Sequence, residues 1–307
     1  MTKPLVLMDH DGGVDDFLST ALLLTMDHVQ TLGIVVTPAD CYIQPAVSAT
    51  RKLLDLMGVS GVPVAESTVR GLNPFPRLFR RDTFTVDFLP ILNQHDTPSA
   101  PLALEPGQAF MARVLREASE PVTILCTGPL STIAAALDLD PAIEPKIKEI
   151  LWMGGALNVP GNVDMVTEGG QDGSAEWNVY WDPPAAHRLW QTAIPITLCP
   201  LDITNNVPVT AQFVRAIARN RRHPLSDFAG QCYAMVTHSN YFFWDVLTTA
   251  YLGRPELFTT REVETVLIAT GPSAGRTLPQ AGGKRVRALA TVDTEAFYAY
   301  LLEAWAR

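Results

Sequence analysis

The chain has 307 residues, of which 47% are hydrophobic and 18% charged, with 32 Asp and Glu against 23 Lys and Arg for a net charge of −9. That balance describes a globular protein with a large core and argues against a sequence-independent grip on nucleic acid, which needs clustered basic charge. The short basic runs "RLFRR" (Arg77, Arg80, Arg81) and "RNRRH" near residue 220 read as solvated faces.

From the N-terminus onward, short apolar runs alternate with helix-length amphipathic ones, the signature of a parallel sheet covered by helices. "PLVLM" is the first expected strand and "VDDFLSTALLLTM" the helix after it. "VQTLGIVVT" is the second strand, and "QPAVSATRKLLDLMG" a helix with Pro45 in its first turn and Gly58 at its end. Residues 66–103, rich in Pro, Phe and Arg, form a long irregular excursion. "PVTILCTG" and "IKEILWMGG" are strands flanking the helix "GPLSTIAAAL". A second excursion covers 156–175, and 223–243 is a third expected active-site loop, in which His238 and Tyr241 line a lid. "IPITLCP" is a strand, "TAQFVRAIAR" and "VLTTAYL" are helices, and "RTLPQAGGKRVRALATV" resembles two strands around a Gly282-Gly283 turn.

No internal repeat or linker interrupts the pattern, so the expectation is one α/β domain with a mostly parallel, Rossmann-like open sheet. Cys41, Cys126, Cys199 and Cys232 are widely spaced, which disfavours a zinc cage or a disulfide framework and suits a reducing cytoplasm. No run reaches the length of a membrane helix or a signal peptide.

Ligands of open parallel sheets collect at the carboxyl ends of the strands. "TPAD" (37–40), "CTGP" (126–129), "MGG" (153–155) and "PLDIT" (200–204) lie at such ends, and so does "MDHDGGVDDF", with Asp9, Asp11, Asp15 and Asp16 inside eight positions. Helix capping explains one or two of these aspartates. A hard, oxygen-loving cation explains four, because it removes their mutual repulsion. Without a His/Cys set beside them, zinc or a softer metal is disfavoured, and His10 reads as a packing or hydrogen-bonding residue. A metal with a spare carboxylate implies metal-assisted hydrolysis. A strand followed by D-x-D also marks aspartyl-phosphate phosphatases of the haloacid dehalogenase type, but "LCPLDIT" offers only Asp202 and no suitably placed Lys accompanies it.

The pattern D-H-D-G-G-V-D-D after an N-terminal strand resembles the signature of the nucleoside hydrolases, which cleave the N-glycosidic bond of ribonucleosides. The resemblance recurs in order at "CTGPLSTIA" (126–134), "ILWMGGA" (150–156), "GNV" (161–163), "AEWNVYWDPPAAH" (175–187) and "FWDVLTTAYL" (243–252). It implies a Ca²⁺ ion held by Asp11, Asp16, Asp245 and the Thr127 carbonyl, with Asp11 also the base that deprotonates water. It further implies that Asp15, Asn162, Glu176 and Asn178 hold the sugar hydroxyls, that Met153 packs on the ribose, and that Asp9 supports from behind. Trp177 falls in the same substrate-binding stretch, although its ring, like that of Trp152, reads as packing.

Three departures bear on the nucleobase. Pyrimidine-cleaving and nonspecific members usually carry a His before the C-terminal aspartate, where this chain has Trp244. They usually show Gly-Asn after the second strand, where this chain has "TPADCY" with Asp40, and a His-containing loop where it has "LNPFPRLFRR". All three resemble the purine-specific members, which activate the leaving base by aromatic stacking. Trp244 matches one stacking aromatic, Phe79 stands where a Trp is expected, and Asp40 faces the purine N7. Gly13 replaces an expected Asn. The resemblance thus implies a purine ribonucleoside as small-molecule partner, a homodimer or homotetramer, and no nucleic-acid or membrane partner. The alternatives are a pyrimidine-tolerant hydrolase and a non-catalytic nucleoside-binding protein.

Overall fold

The computed structural model describes residues 3–237 and 240–307, so His238 lies outside the described residues. Nine strands form one sheet: β1 (Leu5–His10), β2 (Gln30–Val36), β3 (Val64–Glu66), β4 (Val122–Cys126), β5 (Ile147–Met153), β6 (Ile196–Cys199), β7 (Phe258–Leu267), β8 (Thr277–Pro279) and β9 (Lys284–Val292). Their spatial order is β3-β2-β1-β4-β5-β6-β9-β7-β8. Every neighbouring pair from β3 through β9 is parallel, and β7 alone runs antiparallel to both of its neighbours. The expected α/β fold with a mostly parallel sheet is therefore the observed one.

Successive strand residues point to opposite faces, and the cores follow that alternation. Val6 and Met8 of β1 join one apolar cluster with Phe17, Leu53, Phe228 and Leu247 from helices Val14–Leu24, Ile43–Leu56, Pro224–Val236 and Asp245–Gly253. Leu7 joins the other, with Phe110, Ile133 and Leu189 from helices Gly107–Glu117, Ser131–Leu139 and Pro183–Trp190. Burial on both faces explains why the central strands read as continuous apolar runs. The helix after β1 lies on the first face and the helix before β4 on the second. The crevice between β1 and β4 is thus the topological switch point, where open sheets of this kind bind ligands.

One expectation needs correction and one strand is additional. The two strands expected around Gly282-Gly283 are present as β8 and β9, and β7, a strand not expected, lies between them and bonds to both. That ten-residue strand, "FTTREVETVL", carries polar side chains on a largely solvent-facing surface, which masks its alternation. The region 223–243 is not mainly loop. Pro224 starts a helix to Val236 whose Leu225, Phe228, Ala229, Cys232, Tyr233 and Val236 are buried at helical spacing. The excursions at 66–103 and 156–175 do lack long regular elements; the first holds only short helices, including Arg77–Arg80 and Asp82–Asp87. Among the described residues no helix is long and apolar enough to cross a membrane.

The first excursion is pinned to the body by charge. Lys52 Nζ donates to the Asp87 carboxylate at 2.7 Å and to the Asp87 carbonyl at 2.9 Å, with both side chains under 15% exposed. Breaking such a pair leaves one charge without compensation. Lys52→Met is expected to cost about 3 kcal/mol in urea unfolding, the low end for a buried pair, and the double variant Lys52→Met/Asp87→Leu to recover most of it.

Candidate active site

The turn after β1 begins with Asp11 and folds back on itself because Gly12 takes a positive φ of 82°. The turn brings Asp15 and Asp16 into the first turn of helix Val14–Leu24, and all three carboxylates are buried. Asp16 is fixed at both oxygens: Gly13 N–H donates at 2.8 Å and the Thr127 hydroxyl at 2.5 Å. Thr127, just past β4, is itself anchored by its N–H to the Asp9 carbonyl at 2.9 Å. Asp11 accepts the Asp40 N–H at 3.3 Å. Gly128 lets these segments meet, since a Cβ there would lie 2.7 Å from the Asp11 Cβ.

Asp15 reaches across to the C-terminal third of the chain. It accepts the N–H groups of Asp245 at 2.7 Å and Val246 at 3.1 Å, plus the Tyr233 hydroxyl at 3.0 Å. This carboxylate thus caps the start of helix Asp245–Gly253 and sets Asp245 beside the first aspartates. The sequence reading assigned Asp15 to sugar; the cap is a structural duty it did not anticipate. Tyr241, whose hydroxyl accepts the Asp15 N–H at 3.2 Å, packs its ring against Trp244 at 4.6 Å.

The third segment comes from 153–178. Glu176 caps the short helix Trp177–Tyr180 and accepts N–H groups from Asn178 and Gly155, each at 3.0 Å. The Asn178 amide donates to the Thr127 carbonyl at 3.0 Å and the Met153 carbonyl at 3.1 Å, tying this helix to the ends of β4 and β5. Asn162 is exposed and accepts the Trp177 N–H at 3.0 Å. The Trp177 ring is buried against Phe75 at 4.9 Å, so it packs, as does Trp152. Phe79 is 44% exposed and meets only the edge of Trp177.

Burial dominates the electrostatics. It pushes Asp11, Asp40 and Asp245 well above the usual carboxylate range, and the Asp16 charge raises each further. Burial likewise lifts Asp15 and Glu176 to about 7, against the lowering effect of their N–H partners. Asp9 lies behind the turn, with one oxygen on the Thr37 hydroxyl at 2.7 Å and the other buried without a partner among the described residues. His10 is turned away, bonded to Thr50 at 3.1 Å. Asp202, the residue a phosphatase would need, instead accepts the N–H groups of Leu157 and Asn158 at 2.8 and 3.0 Å and holds the loop after β5. Among the described residues no three of His, Cys, Asp and Glu converge into a ready-made metal shell. Asp11, Asp15, Asp16, Asp40, Thr127, Glu176, Asn178 and Asp245 nonetheless share one hydrogen-bonded and electrostatically linked neighbourhood.

Residues 6–299 match the family model of the inosine-uridine preferring nucleoside hydrolases. The chain belongs to the nucleoside hydrolase family. The hydrolase is similar to a solved inosine-uridine preferring nucleoside hydrolase from Bacillus anthracis, with 42% identity, a TM-score of 0.95 and 99% of each chain covered. It shares the fold of a purine-preferring ribonucleoside hydrolase from Gardnerella vaginalis at 23% identity and a TM-score of 0.79, with 98% of each chain covered. Among curated relatives, the pyrimidine-specific ribonucleoside hydrolase RihA of Shewanella woodyi is 29% identical over 85% of this chain and 83% of its own. That of Escherichia coli O7:K1 is 30% identical over 84% and 82%.

Two features of the hydrolase's site escaped the sequence reading. Tyr233, on a helix read as loop, supplies a hydroxyl to Asp15. Arg80, read as part of a solvated face, is half-buried with its guanidinium 5.1 Å from the Tyr42 ring centroid. The helical spacing of the apolar residues in 225–236 was the available signal for the first; nothing local marks the second.

The close contact at Gly128 is testable. Gly128→Ala forces the Thr127 turn away from Asp11, and if Asp11 is the base that the sequence resemblance implies, a misplacement of about 1 Å costs roughly 100-fold in rate. The variant is expected to lose kcat on that scale while its circular dichroism spectrum stays that of the parent.

Proposed function

We propose that this nucleoside hydrolase cleaves purine ribonucleosides to ribose and free base, with Ca²⁺ held by Asp11, Asp16, Asp245 and the Thr127 carbonyl. The donor set supports the metal. It is all oxygen, it is desolvated, and the Asp16 charge raises the proton affinity of Asp11 and Asp245, a strain that a dication relieves. When bound, calcium acidifies a coordinated water. Asp11, oriented by the Asp40 N–H, takes the water's proton. Asp15, Asn162, Glu176 and Asn178 hold the sugar hydroxyls, with Met153 against the ribose. The surrounding carboxylates favour the positive charge that the ribosyl group gains as the bond breaks.

The observation that carries the purine preference is Trp244. It stands where pyrimidine-cleaving members usually carry His, directly before Asp245, its ring held by Tyr241 and by Phe242 at 5.8 Å and its indole N–H buried without a partner among the described residues. An indole cannot donate a proton to a leaving base as imidazole does; it can stack on a purine and favour protonation of the ring. Phe79 offers a second, partly exposed aromatic, and Asp40 an acceptor for a proton-bearing N7. The second reading, a pyrimidine-tolerant enzyme, draws on the names of the curated relatives.

A reducing-sugar assay over inosine, adenosine, guanosine, cytidine and uridine, with and without a calcium chelator, tests both halves. Purine nucleosides are expected to react faster than pyrimidines by at least tenfold, and chelation to abolish turnover until Ca²⁺ is restored; faster uridine cleavage would sink the purine reading, and chelator-resistant turnover the calcium one. Binding of inosine without ribose release would mark the chain as non-catalytic. Trp244→Ala is expected to slow inosine by roughly 100-fold, the scale of general-acid help, while sparing p-nitrophenyl riboside, whose leaving group needs no proton. Equal losses on both substrates would remove Trp244 from leaving-group activation.

A further inference from the structure

A pocket of carboxylates suits a ribosyl group that gains positive charge and opposes a nucleobase that gains negative charge. The Asp40 side of the site therefore needs compensation, and Arg80 lies there. It closes the short helix Arg77–Arg80, with its guanidinium carbon 5.1 Å from the centroid of Tyr42, two residues beyond Asp40. The same turn is tied to the catalytic one: the Thr83 hydroxyl lies 2.9 Å from the Arg80 carbonyl and 3.4 Å from the Gly12 carbonyl. Asp40 packs on the other side of that turn, its Oδ2 only 3.0 Å from where a Cβ on Gly13 would stand. The absence of a side chain at Gly13 thus makes room for the Asp40 carboxylate.

Among the described residues, two polar atoms in this neighbourhood are buried without partners, Arg80 Nε, a donor, and Asp40 Oδ1, an acceptor. Leaving such groups unmet is costly, so each has capacity for a hydrogen bond that a ligand would complete. Among the described residues, Arg80 acting on Asp40 is the positive charge among the leading electrostatic influences on Asp11, Asp15, Asp40 and Asp245.

We propose that Arg80 is a specificity-determining residue that donates to the six-position oxygen of a 6-oxopurine while Asp40 accepts from the adjoining N7–H, whose proton comes from solvent water as the glycosidic bond breaks. The inference rests on the purine reading and narrows it. Arginine has donors only, so it matches the carbonyl of hypoxanthine or guanine and confronts the amino group of adenine donor to donor. Discrimination by buried groups left unpaired is stronger than discrimination by shape. The hydrolase should therefore prefer inosine and guanosine to adenosine.

The test compares kcat/KM for inosine and adenosine in the wild type, Arg80→Met and Arg80→Lys, with thermal melting and inhibition by free ribose measured alongside. Arg80→Met keeps the stem over Tyr42 and removes the donors. The inosine-to-adenosine ratio is expected to exceed one in the wild type and to fall roughly 10- to 100-fold in Arg80→Met, the scale of a charge-assisted hydrogen bond. Arg80→Lys, with a donor but no fork, is expected to recover part of the ratio, and ribose inhibition to stay put in both variants. An unchanged ratio, or equal losses on both nucleosides, overturns the proposal while leaving the purine reading intact. A wild type that cleaves uridine but neither purine nucleoside overturns both. If Arg80→Met does not fold, the ratio in Arg80→Lys decides: a wild-type value overturns the role, a lowered one supports it.

Discussion

Everything in this structure is arranged around the burial of carboxylates at one end of a parallel sheet. Asp9, Asp11, Asp15, Asp16, Glu176 and Asp245 are all buried, and an isolated buried carboxylate is among the least favourable groups a protein can hold. The chain meets this by aiming backbone N–H groups at several of them. Asp15 takes the first N–H groups of helix Asp245–Gly253, Glu176 those of helix Trp177–Tyr180, and Asp16 that of Gly13. The start of a helix offers unpaired donors and the positive end of a dipole. The first two of these carboxylates therefore satisfy their own charge and also place a neighbouring polar residue at the site, Asp245 beside Asp15 and Asn178 beside Glu176.

That arrangement requires the sheet order. The charge cluster must receive segments from residues 11–16, 127–128, 153–178 and 245–246, which are far apart along the chain. β1 lies between β2 and β4, and β5 follows β4, so the turns after β1, β4 and β5 open side by side at the switch point. The Thr127 N–H bond to the Asp9 carbonyl continues the β1–β4 ladder into the site, and the Asn178 amide bridges the ends of β4 and β5. A site built on ladder extensions inherits the rigidity of the sheet, which is what holding a reacting geometry demands.

How much of this could be read from sequence follows from where each residue gets its neighbours. The central strands and their first helices are legible because burial on two faces writes unbroken apolar runs, and the aspartates of 9–16 are legible because their repulsion is local. The fate of Asp15 was not: its partners, Tyr233 and the N–H groups of Asp245 and Val246, lie more than 200 positions away. β7 was hidden by its polar outer face, and helix Pro224–Val236 by its position before the Trp244-Asp245 pair, which drew attention to lid residues instead. Arg80 sits among other arginines that are exposed, and its partial burial and stacking on Tyr42, which depend on a distant segment, separate it from them.

The two sides of the site also differ in how they are made. Glu176 and Asn178, which the proposed function puts at the sugar, are fixed by main-chain groups of three neighbouring segments, so moving either disturbs the backbone itself. Phe79, Arg80, Trp244 and Asp40, which the two proposals put at the base, depend largely on side-chain packing, and two of them come from an excursion pinned at a distance by Lys52 and Asp87. On those proposals, a change of base preference arises by exchanging side chains there without disturbing the charge cluster or the sheet, and sugar recognition is tied to the fold while nucleobase recognition is separable from it. For that reason the identity of the residue before Asp245, and of the side chains facing Asp40, carries more information about substrate than overall similarity of the chain does.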